Sequence, residues 1–375
     1  EAGGNPIRIY DPPHLAEKLD LADSLGLMAV VDLPLPRNNE EHRPYEDSLL
    51  TATFTRRISR TVRAFRNHPA LLFWNLGNEV NYPPYFGERA FVRQFNDWVD
   101  LVHKLDPNHP VTSPMPDMSR LVTLNMHWRS PKLDFLSYNT FGRLNNMAPR
   151  LRVMAPFWKG PLMITEWGIN GPWEAREKTT WGAPVEATSS KKAVLYKERY
   201  QKIMELDRDR MMGSFLFYWG EKEERTPTWF SPFLKDGGQT EMPRAAAQIF
   251  KGSDPSYDGP RLGYILLEGL GAPSSITLVP GQNATASIHN ASPDPSGLEV
   301  RWELHPENWF RTSRTEWKKT AAIPTRFIEK SPSEMVFKTP EKEGPYRLYL
   351  YLTDAQGQVA TANIPFYILD PDEAR

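Results

Sequence analysis

Between residues 1 and 252 the chain alternates short, continuous apolar runs with longer amphipathic stretches. This alternation restricts the fold more than any other feature of the sequence. Continuous apolar runs are typical of parallel strands that are buried on both faces of a sheet. We therefore predict seven strands, at Ile7–Tyr10, Leu27–Leu33, Leu71–Leu76, His109–Met115, Leu133–Tyr138, Pro161–Thr165 and Gly213–Trp219.

The stretches between these runs carry helical periodicity. They predict helices at His14–Leu25, Leu49–Asn67, Glu88–Leu105 and Ser190–Leu206. Strand–helix alternation favours an α/β fold with parallel strands. A (β/α)₈ TIM barrel takes roughly 250 residues, so we expect residues 1–252 to form one. Because only seven strands are visible, we expect the first barrel strand to precede residue 1, or the barrel to close irregularly.

The pattern changes after residue 252. Residues 253–260 are rich in Gly, Pro and Asp and are typical of a linker. Residues 261–375 alternate apolar and polar side chains at period two, which favours an immunoglobulin-like β-sandwich. We expect short strands at residues 275–278, 284–289, 298–304, 334–338, 346–353 and 361–368. This module is either a structural spacer, which we favour, or a carbohydrate-binding domain.

Composition excludes several functions. The net charge of −1 offers no field for nucleic acid or anionic lipid, so we expect neither as a partner. The chain has no Cys, no apolar run long enough to span a membrane, no metal-ligand spacing and no Gly-rich phosphate loop. We therefore expect no metal and no cofactor. No signal peptide is visible, yet we expect a secreted or periplasmic location with any signal already removed.

Two glutamates carry the chemistry that the sequence predicts. The run at Leu71–Leu76 is followed by Gly77-Asn78-Glu79, and the run that begins at Pro161 is followed by Glu166. Polar residues at the ends of buried barrel strands face the carboxyl-terminal mouth, where barrel enzymes place their active sites. Hydrolysis of a glycosidic bond needs two carboxyl groups in one pocket. A single Asn-Glu pair would be weak evidence, but two such strand ends together favour a glycosidase.

Six segments resemble a known family in their order along the chain. The resemblance is to the catalytic barrels of the β-galactosidase and β-glucuronidase family, within the clan A retaining glycosidases. It implies that Glu79 is the general acid/base, Glu166 the nucleophile, and Asn78 a ligand of the sugar 2-hydroxyl. It also implies that Arg8 binds the nucleophile and that Trp219 lies under the sugar. The matching segments are Gly4–Tyr10, Leu19–Leu27, His68–Glu79, Leu105–Val111, Asp134–Asn139 and Ile164–Gly168.

The sequence departs from the family pattern at one position, and other aromatic residues are candidate sugar ligands. The family often has a tyrosine near the nucleophile, after the sixth strand. Here Phe141 takes that place, and Tyr138 is the expected substitute. We further expect His127 to line the pocket, and Trp173 and Trp181 to form sugar-binding surfaces on loops at its rim. A structural histidine and core tryptophans are the simpler alternatives.

These observations predict a hydrolase that cleaves a β-linked oligo- or polysaccharide by double displacement. Two other functions use the same residues. A transglycosylase would pass the sugar from Glu166 to another sugar instead of to water. A barrel without activity would bind a glycan only, but the retention of both Glu79 and Glu166 argues against it.

Overall fold

The computed structural model describes residues 2–10, 13–38, 43–252, 256–307 and 320–370. Apart from residues 1 and 2, the chain divides into two compact units. The first comprises Gly3–Gly168 and Arg199–Phe217, and the second comprises Ile169–Glu198 and Tyr218–Arg375. Residues 169–198 and 218–252 thus group with the C-terminal part, although the sequence assigned them to the barrel. The domain boundary expected at residue 252 stays a prediction, and residues 253–255 of the expected linker lie outside the described residues.

The strands of the first unit lie at all seven predicted places. Within the described part of this unit they are β1 (Pro6–Ile9), β2 (Met28–Leu33), β3 (Leu71–Leu76), β4 (Val111–Thr112), β5 (Pro114–Pro116), β6 (Leu136–Asn139), β7 (Leu162–Trp167) and β8 (Met211–Leu216). They pair in chain order as two parallel sheets, β1 to β4 and β5 to β8. Only Ser113 separates β4 from β5, so these two are one interrupted strand, and β8 contacts β1. This is the strand order of a barrel.

Helices follow most of these strands. They are α1 (Leu15–Ser24), α2 (Ser48–Phe65), α3 (Arg89–Leu105), α4 (Arg120–Arg129), α5 (Met147–Met154), α6 (Ser189–Met204) and α7 (Met242–Lys251). The four predicted helices are confirmed, whereas α4, α5 and α7 were not predicted. Asp47 begins α2 by accepting hydrogen bonds from the backbone N–H groups of Leu49 and Leu50. On α3 the buried residues recur every three or four positions, as an amphipathic helix requires.

Apolar side chains fill the centre of the first unit below the polar ends of its strands. The buried cluster contains Val30, Phe73, Phe135, Met163 and Phe215. Side chains two residues apart on a strand share a face. Asp32 therefore follows Val30 on the same side of β2, and Asn75 follows Phe73 on the same side of β3. The strands thus place polar groups directly above an apolar floor.

The described residues of the C-terminal part of the second unit form two four-stranded sheets. Its strands are β9 (Tyr264–Leu267), β10 (Thr277–Leu278), β11 (Asn283–His289), β12 (Glu299–Pro306), β13 (Phe327–Ser331), β14 (Glu334–Lys338), β15 (Gly344–Thr353) and β16 (Val359–Ile368). The sheets have the orders β10-β16-β15-β12 and β13-β14-β11-β9, and one hydrophobic core contains residues of both. Six of these strands were predicted. The short strands β9 and β13 were missed because neither alternates clearly.

A buried polar network joins separate segments of the second unit. Lys192 Nζ donates to Glu186 Oε1 at 2.5 Å, and Thr226 Oγ1 donates to Glu186 Oε2 at 2.5 Å. Asn363 Nδ2 on β16 donates to the same oxygen at 2.7 Å, and Arg347 Nη1 on β15 donates to Asn363 Oδ1 at 2.6 Å. Because Glu186 and Lys192 are both buried, each charge depends on these partners.

Candidate active site

Polar side chains from the barrel strands meet at the carboxyl ends of those strands. Asp32 on β2 lies opposite Asn75 on β3, and Asn139 on β6 lies opposite Glu166 on β7 in the strand register. Asn75 Nδ2 donates to Asp32 Oδ1 at 2.8 Å. The pairing of the strands therefore brings these groups together without long or flexible loops.

A tight turn after β3 positions Glu79. Gly77 has a φ of 73°, and a Cβ atom there would lie 2.3 Å from Val80 Cγ1. Only glycine adopts this conformation without strain and leaves room for Val80. Glu79 itself has a φ of 50°, and its backbone N–H donates to the carbonyl oxygen of Pro114 at 3.0 Å. A positive φ at a glutamate is costly and is concentrated at functional sites.

Arg8 binds three of the polar groups at once. Its Nη1 donates to Glu166 Oε1 at 3.0 Å, and its Nη2 donates to Asn78 Oδ1 at 2.8 Å. Its Nε and Nη2 form a two-point contact with Asp32, at 3.0 and 2.7 Å. The Arg8 side chain is only 2% exposed. A buried guanidinium held by two carboxylates and an amide has a fixed orientation, as bidentate arginine pairs do.

Asn139 connects the two glutamates. Its Nδ2 donates to Glu79 Oε1 at 3.1 Å and to Asn78 Oδ1 at 3.0 Å. Thr165 Oγ1, next to Glu166 in sequence, donates to Asn139 Oδ1 at 2.9 Å, which fixes the amide orientation. The oxygen of the Asn78 amide thus accepts from both Arg8 and Asn139. Its Nδ2 therefore faces away from them and remains a donor for another group.

The site holds more negative than positive buried charge, and Glu166 responds to it. Burial raises the pKa of Glu166 to about 7, and the negative charges of Glu79 and Asp32 act in the same direction. The guanidinium of Arg8 and a hydrogen bond from Tyr10 oppose this rise. A carboxyl group with a pKa near neutrality, in a cleft and beside charged partners, is typical of an active site.

Tyr10 is the tyrosine beside Glu166, and the sequence did not predict this. Its hydroxyl donates to Glu166, and burial holds the pKa of Tyr10 well above its usual value. The Arg8 guanidinium lies 4.2 Å from the centroid of the Tyr10 ring. Phe217 packs between the rings of Tyr10 and Phe141, with centroid distances of 6.4 and 5.5 Å. The tyrosine beside Glu166 thus directly follows β1 and does not come from the segment after β6.

Two predicted site residues lie elsewhere in the first unit. Tyr138 is fully buried, and its hydroxyl lies 3.4 Å from Thr123 Oγ1 of α4. It faces the opposite side of β6 from Asn139, because neighbouring strand residues alternate. His127 is in α4 and not at a strand end, and its ring packs against Trp158 at 5.1 Å. Neither side chain has a hydrogen bond to a glutamate of the site among the described contacts.

The three predicted tryptophans belong to the second unit. Trp219 is 50% exposed and packs edge-on against Phe233, with ring centroids 5.1 Å apart. Trp173 is 57% exposed. Trp181 is half-buried and packs against Tyr367 of β16 at 5.7 Å. Their role as sugar ligands stays a prediction.

Three further residues at the site escaped the sequence analysis. Asp32 is the one charged residue in an apolar strand, and Asn139 ends another strand, so both carried a signal of the same kind as Glu166. Arg37 follows β2 and places Nη2 3.4 Å from Glu79 Oε2, but nothing in the sequence distinguishes it from a surface arginine.

The residues that the structure describes contain no group of three or more His, Asp or Glu side chains arranged to hold a metal ion. No helix among them is both long and apolar enough to cross a membrane.

A barrel with two glutamates and an arginine at the ends of its strands is the arrangement of a glycoside hydrolase. Residues 2–172 match the model of the glycosyl hydrolases family 2 TIM barrel domain, so this part of the chain is similar to that domain. The match covers both glutamates, Arg8 and Asn139. The match supports the sequence-based prediction of an O-glycosyl hydrolase.

Known proteins are similar to parts of the chain. A β-glucuronidase of Paenibacillus borealis is 27% identical over 127 residues, which are 31% of this chain and 21% of that protein. A β-galactosidase of Aeromonas hydrophila is 29% identical over 109 residues, 28% of this chain and 10% of that protein. The structure of Bacteroides uniformis β-glucuronidase 2, covalently bound to cyclophellitol-6-carboxylate aziridine, has a TM-score of 0.51 at 12% identity. That likeness of fold covers 98% of this chain and 42% of that one.

Proposed function

We propose that the protein is a retaining β-glycoside hydrolase with Glu166 as nucleophile and Glu79 as general acid/base. The observation that carries this proposal is the link between the two carboxylates, which Arg8 and Asn139 hold through four hydrogen bonds of 2.8 to 3.1 Å. Two carboxyl groups fixed in one site supply both groups that double displacement requires. The β-glucuronidase and β-galactosidase relatives support the choice of a β-glycoside as substrate.

The contacts of Glu166 favour it as the nucleophile. Its carboxylate receives hydrogen bonds from Arg8 and Tyr10, which fix the direction of its oxygens. In the first step a Glu166 oxygen attacks the anomeric carbon, while the bond from that carbon to the leaving oxygen breaks. The product is a glycosyl ester on Glu166. In the second step water attacks the same carbon and releases the glutamate, so the configuration is retained.

The contacts of Glu79 favour it as the acid/base. Its side chain is 24% exposed, against 8% for Glu166. A group that donates a proton to the leaving oxygen and later takes one from water must reach both. Glu79 Oε1 is held by Asn139, and Oε2 lies beside the half-exposed Arg37. We propose that Oε2 carries the proton that moves to the leaving group in the first step.

Asn78 is proposed to bind the sugar hydroxyl next to the anomeric carbon. Because Arg8 and Asn139 both donate to Asn78 Oδ1, the amide cannot flip without losing two hydrogen bonds. Nδ2 is thus presented as a donor at the site. A donor to the 2-hydroxyl stabilises the transition state more than the ground state.

We also propose that the two C-terminal sheets form an immunoglobulin-like sandwich that serves as a structural spacer. The aromatic side chains on β15 favour packing over glycan binding, since Tyr346, Tyr349 and Tyr351 are all at most 5% exposed. An exposed aromatic stripe would be needed for a carbohydrate-binding surface.

Azide rescue tests the two roles separately. With an activated aryl β-glycoside as substrate, Glu166→Ala should be inactive until azide attacks the anomeric carbon directly and gives the inverted α-glycosyl azide. Glu79→Ala should still form the glycosyl enzyme, which azide then opens to the β-glycosyl azide. Proton NMR of the azide product distinguishes the two. Glu17→Gln on α1, whose side chain is 79% exposed, is the control and should keep full activity.

Three results would contradict the proposal. The same azide product from both variants would remove the assignment of roles. A first-formed hydrolysis product of inverted configuration would exclude a retaining mechanism even if both glutamates proved essential. Activity above about a tenth of wild type in both variants, a loss below about 1.4 kcal/mol of transition-state stabilisation, would remove the two glutamates from the chemistry.

A further inference from the structure

We infer that a cavity next to Glu79 binds the leaving-group part of the substrate, and that this part is an oligosaccharide bearing carboxylate or sulfate groups. The inference rests on the proposed function, because a leaving group lies on the side of the general acid. The cavity has a volume of about 1050 Å³. This is at the upper end of the roughly 300–1,000 Å³ found for small-molecule pockets, so it has room for more than one sugar unit.

Neighbours of Glu79 on three segments form one part of the cavity wall. Val80 and Asn81 directly follow Glu79 and both line the cavity. Pro114, whose carbonyl oxygen accepts the N–H of Glu79 at 3.0 Å, lines it as well. So does Asn38, which follows Arg37, the residue that contacts Glu79 Oε2. The cavity therefore lies beside the turn that carries Glu79, and Glu79 itself is not among its lining residues.

Two unpaired arginines give the cavity its charge. Arg89 and Arg93 lie four residues apart at the start of α3, hence on one face of the helix, and both line the cavity and are exposed. Within the described ranges, neither has a carboxylate partner. The other lining arginine, Arg43, is paired with Glu46 at 3.4 Å.

The remaining lining carboxylate is also occupied. Glu88 accepts hydrogen bonds from Asn38 and, at 3.3 Å, from Tyr85. Arg89 and Arg93 are therefore the charged hydrogen-bond donors that the cavity leaves available, next to the negative charge of Glu88. Guanidinium groups bind carboxylate and sulfate oxygens by paired, charge-assisted hydrogen bonds. A neutral glycan could not form these charge-assisted hydrogen bonds with Arg89 and Arg93.

An exposed aromatic pair beside the cavity fits a carbohydrate. Phe86 is 72% and Trp128 52% exposed, and their rings stack in parallel with centroids 6.3 Å apart and planes 9° apart. Phe86 follows Tyr85, and Trp128 follows the α4 residue Met126 by two positions; Tyr85 and Met126 both line the cavity. Aromatic rings in this setting bind the C–H faces of sugars, so the stack extends the same subsite.

Matched charged and neutral oligosaccharides test the inference on the full chain. The probes are a galacturonic-acid oligosaccharide, its methyl ester, a sulfated galactan oligosaccharide and its desulfated form. Titration calorimetry at low salt should give a Kd about fivefold or more lower for a charged probe than for its neutral counterpart. Comparison of the two pairs identifies carboxylate or sulfate as the preferred group. Higher salt should reduce the difference.

Three variants locate the effect. Arg89→Gln/Arg93→Gln should lose the preference for the charged probe while still folding by circular dichroism. The matched control Arg60→Gln/Arg63→Gln, which removes two exposed arginines from α2, should keep it. Trp128→Ala should weaken charged and neutral probes by a similar factor.

Each failure has a distinct meaning. Equal affinity for charged and neutral probes, or a preference that survives in Arg89→Gln/Arg93→Gln, overturns the anionic subsite even if aryl β-glycosides are hydrolysed. Unchanged affinities in Trp128→Ala remove the aromatic pair from the subsite. If no β-glycoside is hydrolysed, the proposed function fails, and with it the assignment of this cavity to the leaving group, whatever the binding data show.

Discussion

Replacing Glu166 by Gln should make the protein more stable, and the gain should grow with pH. In the folded protein the pKa of Glu166 is raised from 4.5 to about 7, chiefly by burial. The folded state therefore holds the Glu166 proton more tightly than the unfolded state does. The protonated Glu166 side chain contributes fully to the free energy of unfolding below the pKa of Glu166 in the unfolded chain. This contribution is lost as pH rises through the pKa of Glu166 in the folded protein. Above that range the buried anion destabilises the wild type, whereas glutamine carries no charge.

The size of the effect follows from the two pKa values. One pKa unit corresponds to about 1.4 kcal/mol. The dependence of stability on proton binding then lowers the free energy of unfolding of the wild type, relative to a protein with an uncharged residue 166, by roughly 1 kcal/mol at about pH 5 and roughly 3 kcal/mol at about pH 8. Glu166→Gln should thus exceed the wild type in free energy of unfolding by about 2 kcal/mol more at the higher pH than at the lower. Glutamine keeps the size of the side chain, so packing around Arg8 and Tyr10 should change little.

Urea unfolding followed by tryptophan fluorescence at the two pH values measures this difference. Glu17→Gln, at an exposed position, is the control and should show no pH-dependent gain. A stability difference for Glu166→Gln that stays constant or shrinks between about pH 5 and 8 would refute the reasoning. It would mean that Arg8 and Tyr10 outweigh burial and the neighbouring carboxylates.

Three other predictions concern the site and its support. For a small aryl β-glycoside, kcat/KM should rise with pH as Glu166 ionises with a pKa of about 7; a profile that is flat between about pH 5 and 8 would contradict this. Tyr10→Phe removes a hydrogen bond to the ionised carboxylate, so the pKa seen in that profile should move upward and kcat/KM at neutral pH should fall about tenfold. An unshifted profile would show that Tyr10 does not act on Glu166. Gly77→Ala should destabilise the protein by about 1–3 kcal/mol and lower activity, whereas Gly213→Ala, with no atom within 4 Å of the added Cβ, should do neither. Equal unfolding midpoints for these two variants would argue against strain in the turn before Glu79.

The strand pattern predicted the barrel strands and both glutamates because these depend on local composition. A buried parallel strand reads as a continuous apolar run, and a polar group at its end stands out. Asp32 and Asn139 carried the same signal, but recognising them requires the register that places Asp32 opposite Asn75 and Asn139 opposite Glu166. Register depends on pairing between distant segments, which a single sequence does not contain.

The tyrosine beside the nucleophile shows why a family pattern can mislead. Tyr138 was expected to substitute because it lies three residues before Phe141, but on β6 its side chain faces the side opposite to Asn139. Tyr10 follows β1, and β1 contacts β8, which pairs with the β7 strand that carries Glu166. Tyr10 therefore reaches Glu166 from the β8 side of β7, and not from the β6 side. His127 lies in a helix and not at the end of a strand, and its role as a pocket residue stays a prediction. The segment around it has a weak helical pattern and was not recognised as α4.

The network around Glu186 has a consequence for how this chain can evolve. A buried acceptor that loses a hydrogen-bond donor costs about 1–3 kcal/mol, and more when the acceptor is charged. Glu186 and Lys192 lie in the segment before and within α6, while Arg347 and Asn363 lie on the C-terminal strands β15 and β16. A recombination event that exchanged the C-terminal strands for those of another protein would leave Glu186 without Asn363. We therefore expect residues 186–192 and the strands β15 and β16 to be inherited together. In proteins that carry this network, the C-terminal strands should not be exchanged independently by recombination.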